Sequence, residues 1–168
     1  MKLYIKQKVF SWRDRFRVFD ENENDLYAVQ GEVWSLGKKL HIFSASGDEV
    51  GFIHQKVWSF KSRFFVAQNG EDIAEVVKEI TLFKPVYTVS PQGWNITGNF
   101  WAHEYTIESA SGVIATISKH WFTWGDTYEI DIADGIDPVL VLSVVLIIDA
   151  VMAQQSHAAT AGGGSSSH

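Results

Sequence analysis

From Val139 to Ala153 only Ser143 and Asp149 are polar, and no other stretch of the chain is so uniformly apolar. Pro138 suits the first turn of a helix, and Asp137 before it can accept a hydrogen bond from an orphan backbone N–H. The β-branched residues favour a strand mildly. Length decides against one, since a buried strand usually runs about four to eight residues. The stretch therefore reads as a helix over 138–153, apolar on every side, and such a helix must be surrounded on every side. A membrane span needs roughly 20 apolar residues, whereas this run is shorter and holds Asp149. The expectation is a helix enclosed by a protein shell, with no transmembrane span.

At 168 residues and 46% hydrophobic content, the chain is long and apolar enough for one domain with a sizeable core. It has no cysteine, which excludes disulfides, thiolate nucleophiles and cysteine-based zinc sites. Met1 to Phe10 alternates lysine with apolar residues and lacks a continuous signal core, so a cytoplasmic protein is expected. The net charge of −6 is unevenly spread. Residues 1–84 hold 13 of the 14 Lys/Arg and 12 of the 20 Asp/Glu, and residues 85–168 hold Lys119 alone against 8 carboxylates. Any anion-attracting surface therefore belongs to the first half, and the acidic total disfavours nucleic acid.

Up to Ile132 the chain reads as short strands joined by turns. Lys2–Phe10 alternates, with Leu3, Ile5 and Val9 on one face and Lys2, Lys6 and Lys8 on the other. Arg13–Phe19 alternates as well. Further strands are expected over Leu26–Trp34, Lys39–Ala45, Glu49–Trp58, Arg63–Gln68, Glu71–Lys78, Trp94–Phe100, Glu104–Glu108, Val113–Trp121 and Tyr128–Ile132, with one more between Pro85 and Pro91. Asn69-Gly70 is a strong two-residue hairpin signal. The tail from Gln154 is small and polar and is expected to be flexible, with the domain ending near residue 157 and a tail over 158–168.

This region repeats itself. Gly31-Glu32-Val33-Trp34 matches Gly98-Asn99-Phe100-Trp101, and Ser44-Ala45-Ser46-Gly47 recurs as Ser109-Ala110-Ser111-Gly112. Val50-Gly51-Phe52-Ile53 parallels Ile114-Ala115-Thr116-Ile117. Two related half-shells closing around one hydrophobic helix account for the pattern, because closure also removes exposed sheet edges. On these repeats, and on Leu146-Ile147-Ile148-Asp149-Ala150-Val151 in the helix, the chain resembles the LURP-one-related proteins over roughly residues 1–157. Those proteins are similar in turn to phospholipid scramblases and the Tubby C-terminal domain. The resemblance implies a mainly β fold: a closed antiparallel barrel of about twelve strands, built from two repeats around a buried C-terminal helix.

Motifs of catalysis are absent: the sequence has no Gly-x-Ser-x-Gly, no Gly-x-x-x-x-Gly-Lys and no Gly-x-Gly-x-x-Gly, and its histidines show no metal-ligand spacing. No enzymatic activity, cofactor or metal is expected. Asp149 reads as a structural carboxylate near the helix end, hydrogen-bonded to loop backbone or paired with a base from a strand, in preference to a proton or metal site. The acidic run of Asp126, Glu129, Asp131, Asp134 and Asp137 raises calcium through the scramblase resemblance, but it departs from an EF-hand loop and reads as a solvated rim. Trp34, Trp58, Trp101 and Trp121 read as core or rim packing. Trp12 beside basic residues reads as a folded-back turn residue or an interfacial anchor.

The basic first hairpin is the main functional lead. With Ser11-Trp12 at its tip, residues whose numbers sum to 23 face each other, so Lys8 opposes Arg15 and Lys6 opposes Arg17. Like charges across a strand pair destabilise it. Carboxylates of neighbouring strands or an anionic ligand would relieve them. Lys6, Lys8, Arg15 and Arg17 are the candidate ligand-binding residues, with Lys38 and Lys39 added if their strand lies beside the hairpin. Tubby-type domains bind phosphoinositide headgroups through basic side chains, so the resemblance implies an anionic lipid as the ligand class. A non-enzymatic binding or scaffold domain, peripheral at a membrane, is the expectation. A protein partner is the alternative. Scramblase-like lipid transfer is disfavoured because the one long apolar segment is already used as core.

Overall fold

The computed structural model describes residues 1–6, 15–32, 35–82, 84–122 and 125–161. Among these residues twelve strands precede one long helix. They are β1 (Lys2–Lys6), β2 (Arg15–Phe19), β3 (Asp25–Gly31), β4 (Lys39–Ser44), β5 (Glu49–Gln55), β6 (Arg63–Gln68), β7 (Glu71–Glu79), β8 (Val86–Ser90), β9 (Trp94–Asn99), β10 (Glu104–Ser109), β11 (Gly112–Phe122) and β12 (Gly125–Ile132). A single 3-10 turn, Phe100–Ala102, joins β9 to β10, and α1 runs from Pro138 to Ala161. Every strand is antiparallel to its sequence neighbours, and β1 pairs with β12, so the sheet closes into a barrel. The N-terminal ammonium reinforces the seam by donating to the Ile132 carbonyl at 2.8 Å.

Period-two alternation directs one side chain in two inward along the strands. Leu3, Ile5, Val18, Val29, Leu40, Ile42 and Ile53 are all buried, and they pack with α1 into one core. From Val139 to Met152 every helix residue is buried, Ser143 and Asp149 included. Ser143 is satisfied within the helix, its hydroxyl donating to the Val139 carbonyl at 2.7 Å. The window Pro138–Ser156 is long and apolar enough to cross a membrane, with a mean hydropathy of 1.9, yet 78% of it is buried inside the barrel. The helix start is built as its sequence suggests. Asp137 accepts the Val139 N–H at 2.8 Å through Oδ1 and the Gln68 side-chain amide at 2.7 Å through Oδ2, which satisfies an otherwise orphaned helix donor.

The repeat seen in the sequence is a repeat of geometry. The β4–β5 ladder slips between Ile42 and Phe43, and the β10–β11 ladder slips between Ile107 and Glu108. Ser44 and Ser46 share a hydroxyl hydrogen bond at 2.8 Å, and so do Ser109 and Ser111. Ile42 faces Gly51 across one ladder and Ile107 faces Ala115 across the other. The difference has a cause. A Cβ on Gly51 would come within 2.8 Å of a Val139 methyl, so the first half-barrel gives up a side chain where the helix enters.

Two expectations need correction. The helix does not end at Ala153: it continues to Ala161, making 24 residues and a length of about 36 Å. The segment 154–161 is therefore helix rather than flexible tail. Its residues are mostly Ala, Gln and Ser, and no glycine or proline interrupts the chain before Gly162, so local propensity sustains the helix where burial fades. The strand expected over Glu49–Trp58 stops at Gln55, leaving Val57 and Trp58 exposed. Residues 7–10 of the first expected strand, Trp34 and residues 162–168 lie outside the described residues.

Candidate functional site

Of the bases expected on the outer face of β1 and β2, Lys6, Arg15 and Arg17 are described, and all three are exposed. Tyr4 pairs with Phe19 and Ile5 with Val18, so the residue numbers of facing pairs sum to 23. Lys6 and Arg17 are the next pair in that register. Lys8 and Trp12 lie outside the described residues. Lys6, Arg15 and Arg17 together line an open groove of about 360 Å³, with Phe16, Phe19, Glu23 and Asp25 completing its walls. Arg17 donates to Asp25 of β3 at 2.7 Å, so its charge is met by a carboxylate from the neighbouring strand. Arg15 donates to the Gln30 side chain at 2.6 Å, a neutral acceptor, and no carboxylate among the described residues pairs with it. Phe19, one of the groove's lining residues, stacks on Tyr4 with ring centroids 5.9 Å apart. Tyr4 also donates to Glu129, which binds Lys2 through its other oxygen, both at 2.8 Å.

Lys38 and Lys39 do not lie beside this hairpin, because β3 separates β4 from β2. Lys39 is held by Glu32 at 3.3 Å. Lys38 is partly buried, and burial lowers its pKa to about 8. The sequence could not settle this placement, since it depends on the order of strands in the sheet.

Asp149 sits in a buried polar cluster inside the barrel. The Tyr128 hydroxyl donates to its Oδ2, and His103 Nε2 lies 3.3 Å from Oδ1. The His103 ring stacks on Tyr128 with centroids 4.5 Å apart. The hydroxyls of Tyr87 and Tyr105 are buried with no hydrogen-bond partner among the described residues. The expected partners of Asp149 are loop backbone or a base from a strand; the observed ones are the phenol of Tyr128 on β12 and the imidazole of His103 in the turn before β10. Its partners went unnamed because they are distant in sequence.

The surrounding phenols supply a pH signature. Burial, with the Asp149 charge adding to it, raises the pKa values of Tyr87, Tyr105 and Tyr128. Burial also raises Tyr27 and takes Tyr4 to about 12, the latter helped by its bond to Glu129. These are all five tyrosines of the chain. Below pH ~10 a phenol is neutral in both folded and unfolded chains, and its contribution to stability is complete. Above that, the unfolded chain releases protons that the folded chain keeps, so stability falls as pH rises. Tyrosinate absorbance is expected to rise together with the loss of far-ultraviolet circular dichroism. Ionisation of Tyr87, Tyr105 or Tyr128 near pH 10 while the barrel stays intact would contradict the burial described here.

The acidic run is dispersed. Glu129 bonds Lys2 and Tyr4, Asp137 caps α1, and the Asp126 side chain lies outside the described residues. Among the described residues no group of three or more His, Asp or Glu side chains is placed to hold a metal ion. Trp58 and Trp101 are exposed at the barrel end rather than packed in the core. The Trp121 side chain lies outside the described residues.

The LURP-one-related family model matches residues 1–149. The chain belongs to the LURP-one-related family. It is 32% identical over 152 residues to the uncharacterized protein YxjI of Bacillus subtilis, an alignment covering 90% of this chain and 94% of that one. It is 21% identical over 173 residues to Protein LURP-one-related 14 of Arabidopsis thaliana, covering 89% and 83% of the two chains. An X-ray structure of an Arabidopsis thaliana protein superposes with a TM-score of 0.65 at 17% identity, over 90% of each chain. That likeness shows the fold alone and carries nothing about ligands.

Proposed function

We propose that this LURP-one-related barrel is a non-enzymatic binding domain whose groove on β1 and β2 recognises the phosphate of an anionic lipid headgroup at a cytoplasmic membrane surface. The observation that carries the reading is the convergence of Lys6, Arg15 and Arg17 on one groove of about 360 Å³. A planar guanidinium suits bidentate contact with phosphate oxygens. Arg15 has no carboxylate partner among the described residues to compete for it. Phe16 and Phe19 give the groove an apolar flank, which suits a ligand that carries hydrocarbon next to its charge.

Co-sedimentation with vesicles tests this. Binding is expected to phosphatidylcholine vesicles containing phosphatidylserine and to weaken as salt rises. Each base near an anionic surface is worth about 1 kcal/mol, so Lys6→Gln with Arg15→Gln is expected to weaken binding roughly tenfold or more. Both side chains are exposed, so the melting temperature is expected to change little. Displacement by inorganic phosphate would identify the phosphate itself as the recognised group, whereas binding that resists it requires the lipid surface. An unchanged affinity in the double variant would dismiss the groove. Failure to bind vesicles at any salt would direct the search to a protein partner.

A further inference from the structure

Because neighbouring strands run antiparallel around the whole barrel, the connections that follow odd-numbered strands emerge at one end and those that follow even-numbered strands at the other. The two ends differ in chemistry. The even end carries Asp20, Glu21, Glu23, Asp48, Asp134 and Asp137, with no lysine or arginine in its connections. The described connections of the odd end carry Lys38, Lys56, Lys61 and Lys84 against Glu32 alone. Lys61 is bound to Glu79. Lys56 and Lys84 are exposed, and neither has a carboxylate partner among the described residues.

Exposed apolar side chains follow the same division. Leu36 is 89% exposed, Trp58 92%, Phe60 95%, Leu82 93% and Trp101 60%. All five lie in the connections of the odd end. Of the exposed large hydrophobic residues among those described, only Met1 and Val113 lie elsewhere. A concentration of this kind marks an interaction site. The side chains project from four separate connections rather than from one flat face, so they suit a fluid phase that requires no matched shape. Tryptophan beside lysine is the composition favoured at a bilayer interface. Helix α1 travels toward this end, and its part from Ala150 to Ala161 holds no Asp or Glu to repel an anionic surface.

We propose that the odd end of the barrel is a membrane-docking surface, with Trp58, Phe60 and Leu82 entering the boundary between headgroups and acyl chains of an anionic bilayer while Lys56 and Lys84 meet lipid phosphates. The proposal rests on the anionic-lipid reading above and gives it an orientation. Lys6 ends β1 and Arg15 begins β2, so these two of the three groove bases stand next to the docking end. The acidic end points away from the membrane.

The test uses the full chain and vesicles of phosphatidylcholine with phosphatidylserine, some carrying brominated acyl chains that quench tryptophan on contact. Brominated vesicles are expected to quench the wild type, and Trp58→Phe is expected to lose part of that quenching. Trp58→Ser with Leu82→Ser removes two anchors and is expected to weaken binding at least ~tenfold, with an unchanged melting temperature because both residues are exposed. Part of the wild-type binding is expected to survive high salt, and this part is expected to be lost in the Ser variant. Wild-type affinity in the Ser variant together with absent quenching would overturn the docking proposal and leave the groove reading standing. The reverse pattern, in which the Lys6 and Arg15 variant binds normally while quenching persists, would remove the groove and keep the docking surface. A wild type that binds no vesicles, or that self-associates through this end, overturns the proposal.

Discussion

A chain that stops before Pro138 is expected not to fold. Its strands would still carry Leu3, Val29, Leu40, Ile53, Phe64 and Ile96 on the inward face, all fully buried in the intact protein. Without α1 these residues would line an open cavity. A large apolar surface left in water costs about 25 cal/mol per Å², and aggregation is the expected relief. Expression of residues 1–137 followed by size-exclusion chromatography and thermal melting decides it. A monodisperse fragment with a cooperative transition would show that the shell holds without its filling. The graded version is Leu146→Ala. Leu146 is fully buried, so its truncation is expected to cost about 2–5 kcal/mol in chemical denaturation, according to how far the barrel collapses around the gap.

Replacing Asp149 by alanine is expected to be the most costly polar substitution. It would leave Tyr128 and His103 facing an empty site in the barrel interior. Removing one member of a buried charged cluster typically costs about 3–5 kcal/mol. Asp149→Asn retains an acceptor for the Tyr128 hydroxyl and is expected to cost less, while still weakening the fold. Vesicle binding measured below the melting transition is expected to be unchanged in both variants. A variant of normal stability that has lost ligand or metal binding would make Asp149 a functional carboxylate instead.

These two expectations also show which parts of the molecule were legible in the sequence. The enclosed helix was legible because apolarity on every side is a local property of sixteen consecutive residues, 138–153, and has one physical solution. The hairpin register was legible because side-chain parity with an expected tip at Ser11-Trp12 makes facing residue numbers sum to 23, and Tyr4–Phe19 and Ile5–Val18 follow that rule. The last turns of α1 were not, because Gln154–Ala161 shows no apolar periodicity and persists through propensity alone. The surroundings of Asp149 were not, because Tyr128 and His103 reach it from separate elements. The docking end was hidden for a related reason. Trp58 and Leu82 are unremarkable singly, and only the sense of each strand brings their connections to one end.

Ring closure sets the order in which this molecule can be made. The seam that seals the barrel joins residues 2–6 to residues 127–131, so the barrel's first strand waits for its last, β12, to be synthesised before it finds that partner. The helix that fills the interior follows later still. Contacts this distant along the chain make folding slow, on the order of milliseconds to seconds, and the inward-facing apolar residues stay uncovered during that wait. The nascent chain is therefore a natural client for chaperones. A destabilising substitution in α1 is expected to reduce the yield of folded protein in the cell more than the melting temperature of the purified barrel would indicate.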